Sequence, residues 1–211
     1  IAMVGANGVG KTTLLNILFR DLAPDEGTIK RGTNWITASF EQNKGSLDVD
    51  ASLQENLAGD PDIALPGRSD QILVKGFPRH VVGYLKEFLF DPSALRAPVR
   101  SLSGGEKSRL ILAKLMAKTS NLLLLDEPTN DLDIETLDLL QELLCEFDGT
   151  ILLISHDRDF VERVATRVLF FEGNGRIIDF TGGYESYLNN FFDDKNSLDV
   201  TIKSVSYTHL R

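Results

Sequence analysis

Leu122 to Leu125 is an unbroken run of four leucines, closed by Asp126 and Glu127. So short and continuous an apolar run predicts a strand buried on both faces, as in a parallel sheet. Ile151 to Ile154 repeats the pattern, and Ile1-Ala2-Met3-Val4 is a third strand-like run. Elsewhere the apolar positions recur at helical spacing. Thr13 to Leu18 continues as a helix, and Arg79 to Phe90 carries Val81, Val82, Leu85, Phe88 and Leu89 before stopping at Asp91-Pro92. Glu106 to Lys118 is a further helix, and Ile134 to Phe147 sets Leu137, Leu140, Leu144 and Phe147 on one stripe. Tyr184 to Phe192 is expected to be a closing helix, and Ser52 to Glu55 is a capping box that opens a short one. Thr28 to Arg31 and Trp35 to Phe40 read as strands after the turn Pro24-Asp25-Glu26-Gly27. Asp60 to Pro78, rich in proline and glycine, is either irregular or a short hairpin. Arg167 to Glu172 and Arg176 to Phe180 flank Gly173-Asn174-Gly175 and predict a hairpin. Strands alternating with helices give an α/β fold with a mostly parallel sheet flanked by helices.

The first strand runs into Gly5-Ala6-Asn7-Gly8-Val9-Gly10-Lys11-Thr12, the pattern G-x-x-x-x-G-K-[ST] between a strand and a helix. Gly5, Gly8 and Gly10 permit turns that a Cβ would block. The amides of such a loop point inward and cradle phosphates. Lys11 is placed to reach the β- and γ-phosphates of a nucleotide, and the Thr12 hydroxyl to sit on Mg²⁺. Thr13 follows and belongs to the same nucleotide-binding set.

The 211 residues suffice for a full core, and 42% hydrophobic with 25% charged residues is the balance of a globular protein. The net charge of −9 argues against a general nucleic-acid binder, since that binding rests on Lys and Arg neutralising phosphates. Cys145 is the single cysteine, so no internal disulfide and no zinc cluster is expected. No apolar run approaches the roughly 20 residues of a membrane helix, and no signal peptide is visible. A cytoplasmic setting is the natural expectation, without membrane insertion.

Asp126, at the end of the leucine run, can hold Mg²⁺ directly or through water. Glu127 follows it and is placed to activate a water for attack on a γ-phosphate. Ser101 to Glu106 reads SLSGGE; Ser103 with the amides of Gly104 and Gly105 can form an anion-binding helix N-terminus, although in isolation an ordinary capping turn is the simpler reading.

Taken in order, the phosphate loop, Gln42 after a strand, LSGGE, LLLLDE, Pro128 to Asp133 and Ser155-His156-Asp157 resemble an ATP-binding-cassette ATPase over essentially all of residues 1–192. The resemblance implies a P-loop NTPase fold of the ABC type with a helical subdomain at about 50–118. It also implies ATP and Mg²⁺ as ligands. Gln42 would sense the metal and the attacking water, and Ser103, Gly104, Gly105 and Glu106 would be the signature. Asp131 to Asp133 would belong to the D-loop, and His156 would be the switch histidine on the γ-phosphate. Glu127, His156 and Gln42 are then the catalytic candidates, and Thr12, Gln42 and Asp126 those for the metal. EPTNDLD and SFEQ are similar to the ABC-F branch, whose members join two cassettes in one chain without a membrane domain. The stretch from Lys75 to Phe90, with Phe171 to Gly175, is similar to the second cassette of Uup-like proteins. The resemblance implies a second cassette as partner, in the same full-length chain or in a homodimer, together with the ribosome and branched DNA. It also places the aromatic that stacks on adenine upstream of Ile1, in strands not present. The ATPase subunit of a membrane transporter would share every catalytic motif, and a scaffold that only clamps ATP is a further alternative. Residues 193–211 are expected to form a tail outside the domain; Ser204 to Arg211 resembles a translated sequencing adaptor, and residues from about Ser197 onward are left out of the expected fold.

Overall fold

The computed structural model describes residues 1–19, 22–30, 32–40, 47–130 and 132–187, and the backbone of 205–206. In chain order the elements are β1 (Ala2–Gly5), α1 (Lys11–Phe19), β2 (Thr37–Ser39), α2 (Leu53–Ala58), β3 (Ala64–Leu65), β4 (Arg68–Val74), β5 (Phe77–His80), α3 (Val81–Glu87), α4 (Gly104–Ala117), β6 (Leu122–Asp126), α5 (Ile134–Cys145), β7 (Thr150–Ile154), α6 (Arg158–Val164), β8 (Arg167–Gly173), β9 (Arg176–Thr181) and β10 (Val205–Ser206). Two single-turn 3₁₀ helices, Ala94–Arg96 and Val99–Ser101, lie between α3 and α4. The chain divides into two compact units. One is residues 1–34, 125–127 and 150–211; the other is 35–124 and 128–149.

In the first unit β1 runs parallel to both β7 and β8, with Ala2 opposite Leu153 and Val168. Strands enclosed by neighbours on both sides must be apolar on both faces, and Ala2, Met3, Leu153 and Val168 are all buried. β8 turns back antiparallel onto β9 through Gly173-Asn174-Gly175, and β10 pairs antiparallel with β9. All three turn residues have positive φ, so the Gly-Asn-Gly signal predicts this hairpin correctly. Residues 184–187 begin the expected closing helix; the rest of it lies outside the described residues.

In the second unit β2 pairs parallel with β6, in register Thr37 to Leu122. The four leucines of β6 are buried, as a strand covered on both faces requires. α4 buries every residue from Leu110 to Ala117 and is the unit's central helix. Among them is Lys114, whose Nζ lies 3.2 Å from the equally buried Asp60. Such a charge is tolerated inside only when paired. Lys118 extends the clamp to Asp62 at 2.7 Å. The Tyr84 hydroxyl of α3 donates to the Ala113 carbonyl at 2.8 Å, and burial pushes its pKa up.

Three expectations are corrected. Thr28 to Lys30 forms no strand, and Arg31 lies outside the described residues. A strand persists only where a neighbour takes its backbone groups, and among the described residues none pairs with this segment. The stretch 60–78 lies largely in a three-stranded antiparallel sheet, β3-β4-β5, which runs from Ala64 to His80 and is more than a hairpin. The helix expected from Arg79 starts at Val81, because Arg79 and His80 pair with Ile72 and Gln71 in that sheet. His80 then caps α3, its Nδ1 accepting from the Val82 amide at 3.2 Å.

Candidate functional site

The phosphate-loop residues open a cleft of about 200 Å³ in the first unit. Its walls are Asn7, Gly8, Gly10, Lys11, Thr12, Thr13, Asp126, Glu127, Ile154 and His156. Three strand ends deliver them: β1 leads into the loop, β6 ends on Asp126, and β7 ends on Ile154 just before His156. Ligand sites of open α/β sheets lie at the carboxyl ends of strands for this reason.

The loop's glycines act differently. A Cβ on Gly5 would stand 2.6 Å from the Phe171 carbonyl oxygen and 2.8 Å from its Cβ, so Gly5 is required by the close approach of β8. A Cβ on Gly8 would meet nothing within 4 Å, but its φ of +80° is a conformation that L side chains avoid. Gly5 and Ala6 turn their carbonyl oxygens onto Lys11 Nζ, at 2.7 and 2.8 Å. Burial lowers the Lys11 pKa, and the negative charges of Glu127 and Asp126 oppose that shift. Val9 Cγ2 lies 3.3 Å from the position of a Gly5 Cβ.

The Thr12 hydroxyl donates to Asp126 Oδ2 at 3.2 Å. Hydroxyl and carboxylate oxygen are the hard donors that Mg²⁺ prefers, and it characteristically takes few protein ligands. Glu127 is unusual in three ways. It has φ +47°, left-handed for a residue with a Cβ. Its amide donates to the Ile154 carbonyl at 2.9 Å, which pins it to the end of β7. Its Oε2 accepts from the His156 amide at 3.3 Å, while its buried Oε1 accepts no hydrogen bond although His156 Nε2 is 3.3 Å away. Glu127 Oε1 thus faces His156 Nε2 within the cleft. The left-handed backbone of Glu127 escaped the sequence reading, since nothing in LLLLDE signals it.

Gln42 and Asp131 lie outside the described residues. Ser103, Gly104, Gly105 and Glu106 belong to the second unit, where they open α4. Ser103 Oγ accepts from the Glu106 amide at 3.2 Å and Glu106 Oε2 accepts from the Ser103 amide at 2.8 Å. This reciprocal capping box satisfies two backbone donors, and it holds the Glu106 pKa below the ordinary carboxylate range. Asp133 caps α5 in the same way, its Oδ1 accepting from the Thr136 amide at 2.8 Å.

A strand–loop–helix phosphate cradle with an acidic pair at a neighbouring strand end defines a P-loop nucleotide-binding domain. The ABC transporter family matches residues 1–130, and the chain belongs to that family. Membership gives the expected enzyme class, an ATPase of the P-loop ABC type, and nucleotide binding with it. The chain is 50% identical to the ATP-binding protein Uup of Escherichia coli K12 over 184 residues, 87% of this chain and 28% of that protein. It is 46% identical to the ATP-binding protein Uup of Caulobacter vibrioides over 189 residues, 90% of this chain and 30% of that one. The expected Uup-like resemblance is thus borne out, and the chain spans less than a third of the length of these relatives. A solved structure titled RNase-L Inhibitor superposes with a TM-score of 0.61 at 23% identity, over 92% of this chain and 36% of that one, and shows the shared fold. Among the described residues no helix is long and apolar enough to cross a membrane.

Proposed function

We propose that this chain is the second cassette of a Uup-like ABC-F protein and that it binds and hydrolyses Mg-ATP together with another cassette in a head-to-tail sandwich. The convergence of Lys11, Thr12, Asp126, Glu127 and His156 on one cleft carries the reading. No aromatic side chain is among the residues lining that cleft, which suits a pocket for the triphosphate rather than for the base. Lys11 would exchange its loop carbonyls for phosphate oxygens. Thr12 and Asp126 would hold Mg²⁺, which neutralises phosphate charge when bound. Glu127 would accept the proton of the attacking water at Oε1, and His156 and Gln42 would orient the water and the γ-phosphate. Ser103, Gly104, Gly105 and Glu106 would serve the nucleotide of the opposing cassette. For the full-length protein, a cytoplasmic setting and association with the ribosome and with branched DNA rest on the ABC-F resemblance of EPTNDLD and SFEQ. The domain is proposed to run over residues 1–192, with a helical part at about 50–118 and a separate tail at 193–211.

The test is Glu127→Gln in the full-length protein. The variant keeps the side chain's size and loses the base, so ATP should still bind while phosphate release falls by about 10²–10⁴-fold. Turnover at the parent rate would assign the base to another residue.

A further inference from the structure

The two glycines of SLSGGE occupy different surroundings. A Cβ on Gly104 would meet nothing within 4 Å. A Cβ on Gly105 would fall inside contact distance of Asp133 Oδ2 and 3.1 Å from its Cγ. The other oxygen of that carboxylate, Oδ1, accepts from the Thr136 amide and caps α5. One side chain thus stands at two helix N-termini, capping α5 and lying against the first turn of α4. A carboxylate is favoured at both, since each presents unpaired amides and the positive end of a helix dipole. Both helices, both caps and both glycines lie within the second unit.

We infer that Asp133 is a positioning residue for the signature turn: its carboxylate fixes the spacing between the start of α5 and the start of α4, and Gly105 is glycine to admit it. The inference rests on the proposed role of Ser103 to Glu106 toward an opposing nucleotide. It adds a demand on Gly105 that does not depend on contact with a nucleotide. The requirement is internal to the cassette, and it is asymmetric. Hydrogen bonding from Thr136, through its amide, and the nearby charge of Arg109 hold the Asp133 pKa below its ordinary value.

A double-mutant cycle tests this. In this chain, Gly105→Ala should lower the melting temperature by at least about 3 °C, the expected effect of overpacking, whereas Gly104→Ala should leave it unchanged or raise it. Asp133→Ser retains a capping hydroxyl and clears the space, so Gly105→Ala/Asp133→Ser should melt above Gly105→Ala. Gly105→Ala/Asp133→Asn, with the volume kept, should not. In the full-length protein the same pairing should appear in kcat, with Gly105→Ala slow and the serine double variant at least about threefold faster, a factor at the low end of the usual coupling of groups in contact. Equal melting of the Gly104 and Gly105 variants, or no rescue by Asp133→Ser, would overturn the inference. If the parent protein proved not to hydrolyse ATP, the proposed function would fall, and the melting cycle would still decide the role of Asp133.

Discussion

The phosphate-loop cleft and the signature turn sit in different units and satisfy their polar groups in opposite ways. At the start of α4 the capping groups are partnered close in sequence, with Ser103 and Glu106 bonding each other's amides. In the cleft, Lys11 folds back on carbonyl oxygens of its own loop, Glu127 holds a left-handed backbone, and one of its oxygens accepts nothing. Natural sequences break local rules mainly where chemistry demands it. The contrast sets the cleft, where local rules are broken, apart from the turn, where they are kept.

The sharpest way to break the comparison is at Gly5. Gly5→Ala forces a Cβ into the Phe171 backbone and should destabilise the chain by about 1–3 kcal/mol, as overpacking does. Gly8→Ala meets open space and should cost only about 1 kcal/mol of backbone strain. Chemical denaturation of both variants checks the order; a Gly5→Ala protein as stable as the parent would show that β1 and β8 do not approach as described.

Strain at Glu127 gives a smaller effect with a distinctive sign. At ordinary positions alanine is more stable than glycine. In a left-handed conformation glycine should win, so Glu127→Gly should exceed Glu127→Ala in stability by about 1 kcal/mol. The reverse order in parallel melts would remove the strained base from the account.

Much of this contrast was readable in the chain, and the unreadable part has a physical cause. The strand–loop–helix at Ala2 to Phe19, the leucine strand β6, the capping box at Ser52 and the helix start at Ser103 are local patterns, and each appears where expected. What escaped depends on partners distant in sequence. Thr28 to Lys30 has strand-like residues but no ladder, and Arg79-His80 continues β5 because β4 lies beside it. The buried pairing of Lys114 on α4 with Asp60 also joins segments far apart in the chain. In the cleft, the residue types were legible from the motif, whereas the φ of Glu127 is imposed by the Ile154 carbonyl, 27 positions away in the chain. The packing of Asp133 on Gly105 likewise joins two segments that no local pattern connects.

The smallest effect lies at the signature turn. Ser103→Ala removes one capping acceptor and should cost about 1 kcal/mol. Because the folded-state pKa of Glu106 is depressed, its contribution is full above its unfolded pKa and is lost as the pH falls through its folded value. The Ser103 amide is the first cause of that depression. Stability of Glu106→Gln should therefore converge on that of the parent in acid and diverge from it towards neutrality; a gap that widens in acid would reverse the assignment.

The central claim is that the cleft binds nucleotide phosphates through Lys11. Calorimetric titration of Mg-ATP into the full-length protein, beside its Lys11→Ala variant with the first cassette silenced in both, tests it most directly. The account predicts saturable binding by the parent and none by Lys11→Ala, with the two proteins melting at similar temperatures in the absence of nucleotide. Equal affinity in the two proteins would contradict it.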